Sequence, residues 1–373
     1  MDKMHITFII SSLTSGGAER VITQLANYFV ERGYTVSLIT LAAPAAAPFY
    51  PLSDKIKLVQ LNLLMEAHSL PRRLCAILKR LWCIRATIRT LNPDRIISFI
   101  DIMNITVLLA MIGRSDPVIV SERIDPTHHP IPDFYKWLRL KFYPRAKAVV
   151  VQTTASRAYF PDHIQALIQI IPNAVPPCPE HRQVNHTTDR SFQFISVGRL
   201  SPQKDHETLI RAFARIVDAY PSSHTPMHIP KLTIYGEGDL KLHLLSLIQS
   251  LNMTDHISLP GTTPHLSTAL IAADVFVFPS RYEGFPNALC EAMAVGLPVI
   301  ASNCSGNIDV VRDEIDGLLF PAGDVEVLVS LMTDLMNNPK KRQQLSAHAI
   351  TLSERFDANS IMKQWEDIMQ RSQ

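Results

Sequence analysis

The sequence predicts two doubly wound α/β domains in tandem. Three observations carry this. Short, continuous apolar runs alternate with amphipathic stretches along the 373-residue chain. The alternation is interrupted once, by the proline-rich polar stretch "PNAVPPCPEHRQVNHTTDRS" at 172–191. It then restarts. Continuous runs rich in β-branched residues are the mark of parallel strands covered on both faces, and their alternation with helices builds a doubly wound sheet.

In the first half, "HITFIIS", "TVSLITL", "RIISFI", "PVIVS" and "AVVVQ" are expected strands. Between the first two lies "AERVITQLANYFVERG", an amphipathic helix with Gly33 as its stop. In the second half the strands are "FQFISVG", "KLTIYG", "HISLPG", "VFVFPS", "LPVIAS" and "GLLF". The expected boundaries are 1–178 for the first domain and 190–352 for the second. A final amphipathic helix, about 353–373, is expected to pack back across the linker onto the first. Open α/β sheets bind ligands at the carboxyl ends of their strands, so two such domains facing one another would share a central cleft.

Composition narrows the function classes. Hydrophobic content of 47% with 19% charged residues indicates an ordered globular chain. The longest apolar run, Ile105 to Gly113, is too short to span a bilayer. "MHITFIIS" has the apolarity of a signal peptide, but "GGAER" follows it rather than a small-residue cleavage site, so a buried first strand is expected. Five cysteines show no CxxC and no zinc spacing, which predicts free thiols in a reducing compartment. The net charge of +2 hides an asymmetry: residues 1–178 hold 20 Lys+Arg against 12 Asp+Glu, and the remainder 16 against 22. A basic first half favours a phosphorylated, lipidic or nucleic-acid partner.

Two loops after expected first strands have the makings of phosphate sites. In "SSLTSGGAER", Gly16 and Gly17 let backbone amides approach a phosphate at a helix start; a plain tight turn accounts for them equally well. It is not GxGxxG, and no acid follows where a dinucleotide ribose needs one. In "SVGRLSPQKD", Arg199 offers a bidentate grip and Lys204 a point charge; the alternative is a solvated turn.

The densest chemistry lies in "SRYEGFPNALCEAMAVGLPVIAS", 280–302. Pro286 suits the first position of a helix, which leaves Glu283 in the loop before it and Glu291 one and a half turns inside. The amides of Asn287 and Ala288 then face a diphosphate. Glu283 can accept from sugar hydroxyls on one side and Glu291 from a ribose on the other. A helix-dipole role for Glu283 and a surface role for Glu291 is the alternative, but the apolar neighbours of Glu291 fit it poorly.

"GGAER", "VGRLSPQKD", "LPG", the 280–302 segment and "DGLLFPAGD" together resemble the retaining glycosyltransferases of family 4, with the GT-B fold of two Rossmann-like domains. The likeness runs over nearly the whole chain and is densest from 194 to 324. It implies that Arg199 and Lys204 bind the donor diphosphate, that Glu283, with Gly284 and Phe285 beside it, meets the transferred sugar, and that Glu291 meets the ribose. It places the base near Gly236 and the Leu259–Gly261 backbone, and brings Gly16 and Gly17 towards the phosphates and acceptor from the first domain. Many relatives carry a catalytic histidine after the strand that here reads "VIVSERID". This chain has Ser121, Glu122 and Arg123 instead, a form resembling the subgroup that works on polyprenyl-diphosphate-linked glycans. Glu122, Arg123 and His128 are therefore acceptor-site candidates, with loop histidines as the plainer reading of "DPTHHP". No Asp-x-Asp follows a strand, so no metal and no cofactor is expected; Arg199, Lys204 and helix dipoles would neutralise the leaving diphosphate.

In "LPRRLCAILKRLWCIRATIRTL", helical spacing gathers Leu74, Ile77, Leu78, Leu81, Ile84 and Ile88 on one face and Arg72, Arg73, Lys79 and Arg80 on the other. "YKWLRLKFYPRAK" adds further basic residues among aromatics. A solvated basic face over a core-facing stripe is one reading; contact with an anionic membrane surface is the other. No base-stacking motif accompanies the charge, so nucleic acid is not expected.

The expected function is transfer of a hexose or N-acetylhexosamine from a UDP-sugar to a polyprenyl-diphosphate-linked acceptor in cell-surface glycan synthesis. The expected location is cytoplasmic, peripheral on the inner face of the cell membrane. The rivals are a nucleotide-sugar epimerase of the same fold and a non-catalytic sugar-nucleotide-binding subunit of an envelope complex.

Overall fold

The computed structural model describes residues 4–14, 16–44, 46–64, 70–129, 131–175, 178, 190–219 and 229–371. Most of the expected linker lies outside the described residues. The chain divides into two compact units, Met1–Asn173 with Asn359–Gln373, and Ala174–Ala358.

The first unit holds a parallel sheet of seven strands: β1 His5–Ile10, β2 Thr35–Thr40, β3 Lys57–Gln60, β4 Arg95–Phe99, β5 Val118–Ser121, β6 Ala148–Val151 and β7 Ile168–Ile170. Their order is β3-β2-β1-β4-β5-β6-β7. The central strands are buried along nearly their whole length, as expected of strands covered on both faces. The helix Gly17–Glu31 buries Val21, Ile22, Leu25, Ala26 and Phe29, a stripe at helical spacing, and Gly33 follows at φ 82°.

The helix Ala358–Gln370 belongs to this unit. Trp365 is fully buried and stacks on Phe99 with ring centroids 5.9 Å apart. Tyr34 donates to Glu366 at 2.5 Å, and Arg95 donates to the carbonyl of Met369 at 2.7 Å. Burying one large side chain of this kind contributes about 1.5–3 kcal/mol.

The helix Leu70–Leu91 differs from expectation. Ile84 and Ile88 are buried, but Leu74 (59%), Leu78 (56%) and Trp82 (70%) are exposed, and Ile77 is partly so. Only the second half of the helix lies on the core; the first half shows both its apolar and its basic residues to solvent.

The second unit holds a parallel sheet of six strands: β8 Gln193–Val197, β9 Lys231–Tyr235, β10 Ile257–Gly261, β11 Val275–Phe278, β12 Val299–Ser302 and β13 Leu318–Phe320, in the order β10-β9-β8-β11-β12-β13. The chain turns back between β8 and β11, so the loops after these two strands flank the switch point where doubly wound sheets take ligands. The helix His206–Asp218 closes the first of them and buries Leu209, Ile210, Phe213 and Ile216.

Candidate active site

The loop after β8 runs through Gly198 and Arg199 into a short 3-10 turn, Pro202–Lys204, and then through Asp205, in the left-handed region at φ 47°, into the helix His206–Asp218. The loop after β11 runs from Pro279 to Pro286 and into the helix Asn287–Ala294. The two are stitched together. The amide of Arg281 donates to the Gln203 carbonyl at 2.8 Å, and Gln203 Nε2 donates to the Tyr282 carbonyl at 2.9 Å. Arg281 also reaches buried Asp205 at 3.2 Å.

This stitching brings Lys204 and Glu283 together. Lys204 Nζ is ion-paired with Glu283 Oε1 and lies 4.8 Å from the centre of the Phe278 ring. Glu283 is only 5% exposed. Its position depends on Gly306, in the turn Ser305–Ile308 after β12: a Cβ there would stand 2.7 Å from both Cβ and the carbonyl oxygen of Glu283. Asn307, beside it, donates to the carbonyl of Ser302 at 3.0 Å and fixes that turn against β12.

Arg199 is exposed, and its side chain makes no hydrogen bond or ion pair among the described residues. Gly236 follows β9 at φ 146°, a conformation that favours glycine, and a Cβ there would run into the Gly198 carbonyl. Its amide donates to the carbonyl of Gly261, at the end of β10, at 2.9 Å. Gly198, Gly236 and Gly261 thus end three neighbouring strands at one edge. Next to Lys204, buried His206 has its pKa pushed down to about 3, first by burial and then by the lysine's charge.

The 280–302 segment departs from expectation in one detail. The helix begins at Asn287, with Pro286 as its cap, and the Asn287 amide already donates to the Phe285 carbonyl at 3.0 Å. Phe285 is buried against Phe356, and Gly284 is buried too. Ala288 and Glu291 lie on the helix, both partly exposed. The burial of Glu291's neighbours Cys290 and Ala292 puts the carboxylate at the margin of the core.

In the first unit the expected residues are placed differently from one another. Gly16 caps the helix Gly17–Glu31 in an extended conformation, and the Glu19 carboxylate occupies the space where a Cβ on Gly16 would stand. Negative charge therefore already sits at that helix start. Glu122 is not turned to solvent: it is buried, accepts a hydrogen bond from Tyr143, and lies 3.7 Å from the buried Arg139. Burial pushes its pKa up to about 7, against the pull of Arg139. Arg123 is buried as well, donating to Asn173 and lying 5.1 Å from the Phe99 ring centre, with its pKa pushed down to about 9 by burial. Both side chains thus turn inward just after β5, where the Arg123 Nε is buried without a hydrogen-bond partner among the described residues. His128 is half-exposed, with Nδ1 3.1 Å from the buried carboxylate of Asp125. His129, next to it, lies 3.6 Å from buried Asp101.

Among the described residues, no three His, Cys, Asp or Glu side chains gather as a metal-binding group, no helix is long and apolar enough to cross a membrane, and no two cysteines form a disulfide.

Sequence reasoning did not single out Gln203, Phe278, His206, Gly306 or Asn307. The signal for Gly306 was available: a glycine in the loop that follows β12, in "SNCSGN". The role of Phe278 was hidden in an apolar run.

Known proteins share both halves of this architecture. Residues 15–177 match the family described as Glycosyltransferase Family 4, and residues 178–351 the family described as Glycosyl transferases group 1. Among relatives, the chain is 26% identical over 97% of its length to a Campylobacter jejuni protein, 97% covered, named GalNAc-alpha-(1->4)-GalNAc-alpha-(1->3)-diNAcBac-PP-undecaprenol alpha-1,4-N-acetyl-D-galactosaminyltransferase. It is 26% identical over 95% of its length to the amylovoran biosynthesis glycosyltransferase AmsD of Erwinia amylovora, 96% covered. Among solved structures, sucrose-phosphate synthase from Thermosynechococcus elongatus superposes with a TM-score of 0.83 at 20% identity over 98% of both chains. Anabaena HepE in complex with UDP gives 0.75 at 19% identity, covering 98% of this chain and 99% of that one. At these identities the structural likeness is one of fold.

Proposed function

The chain belongs to the family 4, group 1 glycosyltransferases of GT-B fold, and from that premise we propose that it moves a hexose or N-acetylhexosamine from a UDP-sugar to a polyprenyl-diphosphate-linked sugar, with retention and without a metal ion. The observation that carries the donor reading is the Lys204–Glu283 pair at the switch point of the second sheet. A diphosphate arriving at the β8 loop competes for Lys204. It replaces one carboxylate with two phosphate charges, and Arg199, exposed on the same loop, adds a second cation. Glu283, released from the lysine, then accepts a hydroxyl of the transferred sugar. Glu291, on the helix beyond, takes the ribose. The two cations stabilise the charge that grows on the leaving diphosphate, and stabilisation of this kind usually lowers the barrier more than any other single effect. That leaving oxygen takes the acceptor proton on the same face of the sugar, which keeps the anomeric configuration.

The acceptor reading rests on relatives whose names specify undecaprenol-diphosphate acceptors, such as the Campylobacter protein. It also rests on the first unit's surface. The helix Leu70–Leu91 carries six Arg or Lys and no acid, and exposes Leu74, Leu78 and Trp82 among them. On the helix Asp133–Phe142, Phe134 and Trp137 are exposed, with Lys141 4.7 Å from the Trp137 ring centre. Basic and aromatic side chains together suit an anionic membrane interface. They fit an enzyme working at the inner face of the cell membrane, where a lipid-linked acceptor presents its sugar. Incubating the protein with radiolabelled UDP-sugars and a lipid extract, in EDTA, tests the reading. Label entering the lipid phase supports it. Label converted without acceptor would indicate an epimerase, and binding without turnover a non-catalytic subunit.

A further inference from the structure

Two residues of the second unit have no part in the donor contacts described so far: Asp205, which follows Lys204, and Arg281, on the loop after β11. Asp205 lies at φ 47° and ψ 40°, in the left-handed region. A residue with a Cβ adopts that region at a cost, and aspartate does so more readily than most because its short carboxylate can bond nearby groups. Strain of this kind concentrates at functional sites and persists where the surroundings hold it.

The surroundings here are specific. The Asp205 side chain is 4% exposed, and both its oxygens are used. Oδ2 accepts from the Thr208 hydroxyl at 2.9 Å, on the helix His206–Asp218, and Oδ1 accepts from Arg281 at 3.2 Å, on the other loop. A buried carboxylate is costly without such partners. The Arg281 side chain is 61% exposed, and among the described residues it bonds only Asp205. Its charge is matched by that acid, so the pair adds no net charge to the site.

The ion pair does not act alone. The Arg281 amide donates to the Gln203 carbonyl, and Gln203 Nε2 donates to the Tyr282 carbonyl. Residues 203 and 205, on either side of Lys204, are thus bonded to residues 281 and 282, just before Glu283. Lys204 takes part in none of these three bonds. Its backbone is held from both sides, while its four-carbon stem can carry the ammonium from Glu283 to an arriving phosphate. A cation fixed in this way binds a diphosphate without the cost of ordering a loop.

We propose that Asp205 and Arg281 are positioning residues that clamp the Lys204 backbone so that its ammonium meets the donor diphosphate. The inference rests on the reading of Lys204 as a diphosphate ligand. The rival is direct contact of Arg281 with the phosphates.

The test is a double-mutant cycle on the full chain, with UDP affinity read by calorimetry and melting temperature alongside. Arg281→Ala should bind UDP roughly tenfold more weakly, within the range of coupling in one hydrogen-bonded network. In a Lys204→Ala background, itself weakened, Arg281→Ala should cost nothing more. Asp205→Gly removes the carboxylate but adopts the left-handed turn freely. It should match Arg281→Ala, and the two together should be no worse than either. Arg281→Lys, which keeps a cation within reach of Asp205, should restore most of the affinity. An equal loss from Arg281→Ala in both backgrounds would mean direct phosphate contact or a general loss of structure, and overturns the clamp. So does wild-type affinity in Arg281→Ala when Lys204→Ala is weakened. Wild-type affinity in Lys204→Ala would overturn the donor reading itself, and the clamp with it.

Discussion

Lys204 and Glu283 form an ion pair across two loops, 79 residues apart in sequence, and the pair is largely shielded from water: their side chains are 17% and 6% exposed. Each of the two groups assigned to the donor thus holds the other in place when no donor is bound. Removing Lys204 strands a buried carboxylate. Arg199, in contrast, is exposed and can be removed without structural cost.

Arg199→Ala and Lys204→Ala should both lower turnover by about 10²-fold, roughly 3 kcal/mol in the barrier. Their stabilities should part. Lys204→Ala should lose stability, by at most about 3 kcal/mol because the lysine keeps some exposure, while Arg199→Ala melts like the wild type. Kinetics and calorimetry on the two variants check this. Wild-type turnover in either would refute the diphosphate grip.

Gly306→Ala should impair transfer although residue 306 carries no chemistry. Its Cβ would press on Glu283, 2.7 Å away, and a small misplacement of a positioned group costs up to about 10²-fold. Acceptor-dependent turnover should fall while UDP, which does not need Glu283, binds as before. Unchanged transfer would show that Glu283 can move without penalty.

The two units should answer pH with opposite signs. His206 is held neutral in the fold, its pKa pushed from 6.5 to about 3 by burial and Lys204. Between those values the unfolded chain binds more protons, so stability falls as pH falls. Glu122 is raised from 4.5 to about 7 by burial. Between those values the folded chain binds more protons, so its contribution is fully present below 4.5 and is lost as pH rises through 7. Calorimetry across this range on His206→Gln and Glu122→Gln should remove one slope each. A variant that leaves the pH profile unaltered would show that its residue does not titrate in this way.

Much of this was legible in the chain. The apolar runs of the central strands announced the two sheets, because strands buried on both faces leave no room for polar residues. The strands β3, "KLVQ", and β7, "IQI", escaped notice because they are sheet edges, half-buried and mixed in character. The Lys204–Glu283 contact could not be read, since it depends on β8 and β11 lying side by side. The resemblance carried by "SER" makes Glu122 and Arg123 acceptor candidates without saying which way they turn; they turn inward, because Tyr143 and Asn173 supply partners from distant segments. The periodicity of 70–91 was correct as a helix, but periodicity does not say where the core ends, and Leu74, Leu78 and Trp82 lie beyond it.

That exposed stripe changes the membrane prediction. Sedimentation with anionic liposomes should be weakened by salt and by Arg72→Ser with Lys79→Ser, each charge near the surface being worth ~1 kcal/mol. Leu78→Ser with Trp82→Ser should weaken it further, at high salt as well as low. Binding that survives both pairs of changes, or none to anionic vesicles, would make this helix an ordinary solvated face.

The donor assignment in the second unit is tested most directly by titrating UDP alone into the wild type, Glu283→Ala and Glu291→Ala by calorimetry. UDP contains the ribose and the diphosphate but not the transferred sugar. Glu291→Ala should bind UDP roughly tenfold or more weakly, the order of a hydrogen bond to a charged group, while Glu283→Ala should bind it nearly as the wild type does. Equal losses in the two variants, or no loss in Glu291→Ala, would contradict the assignment.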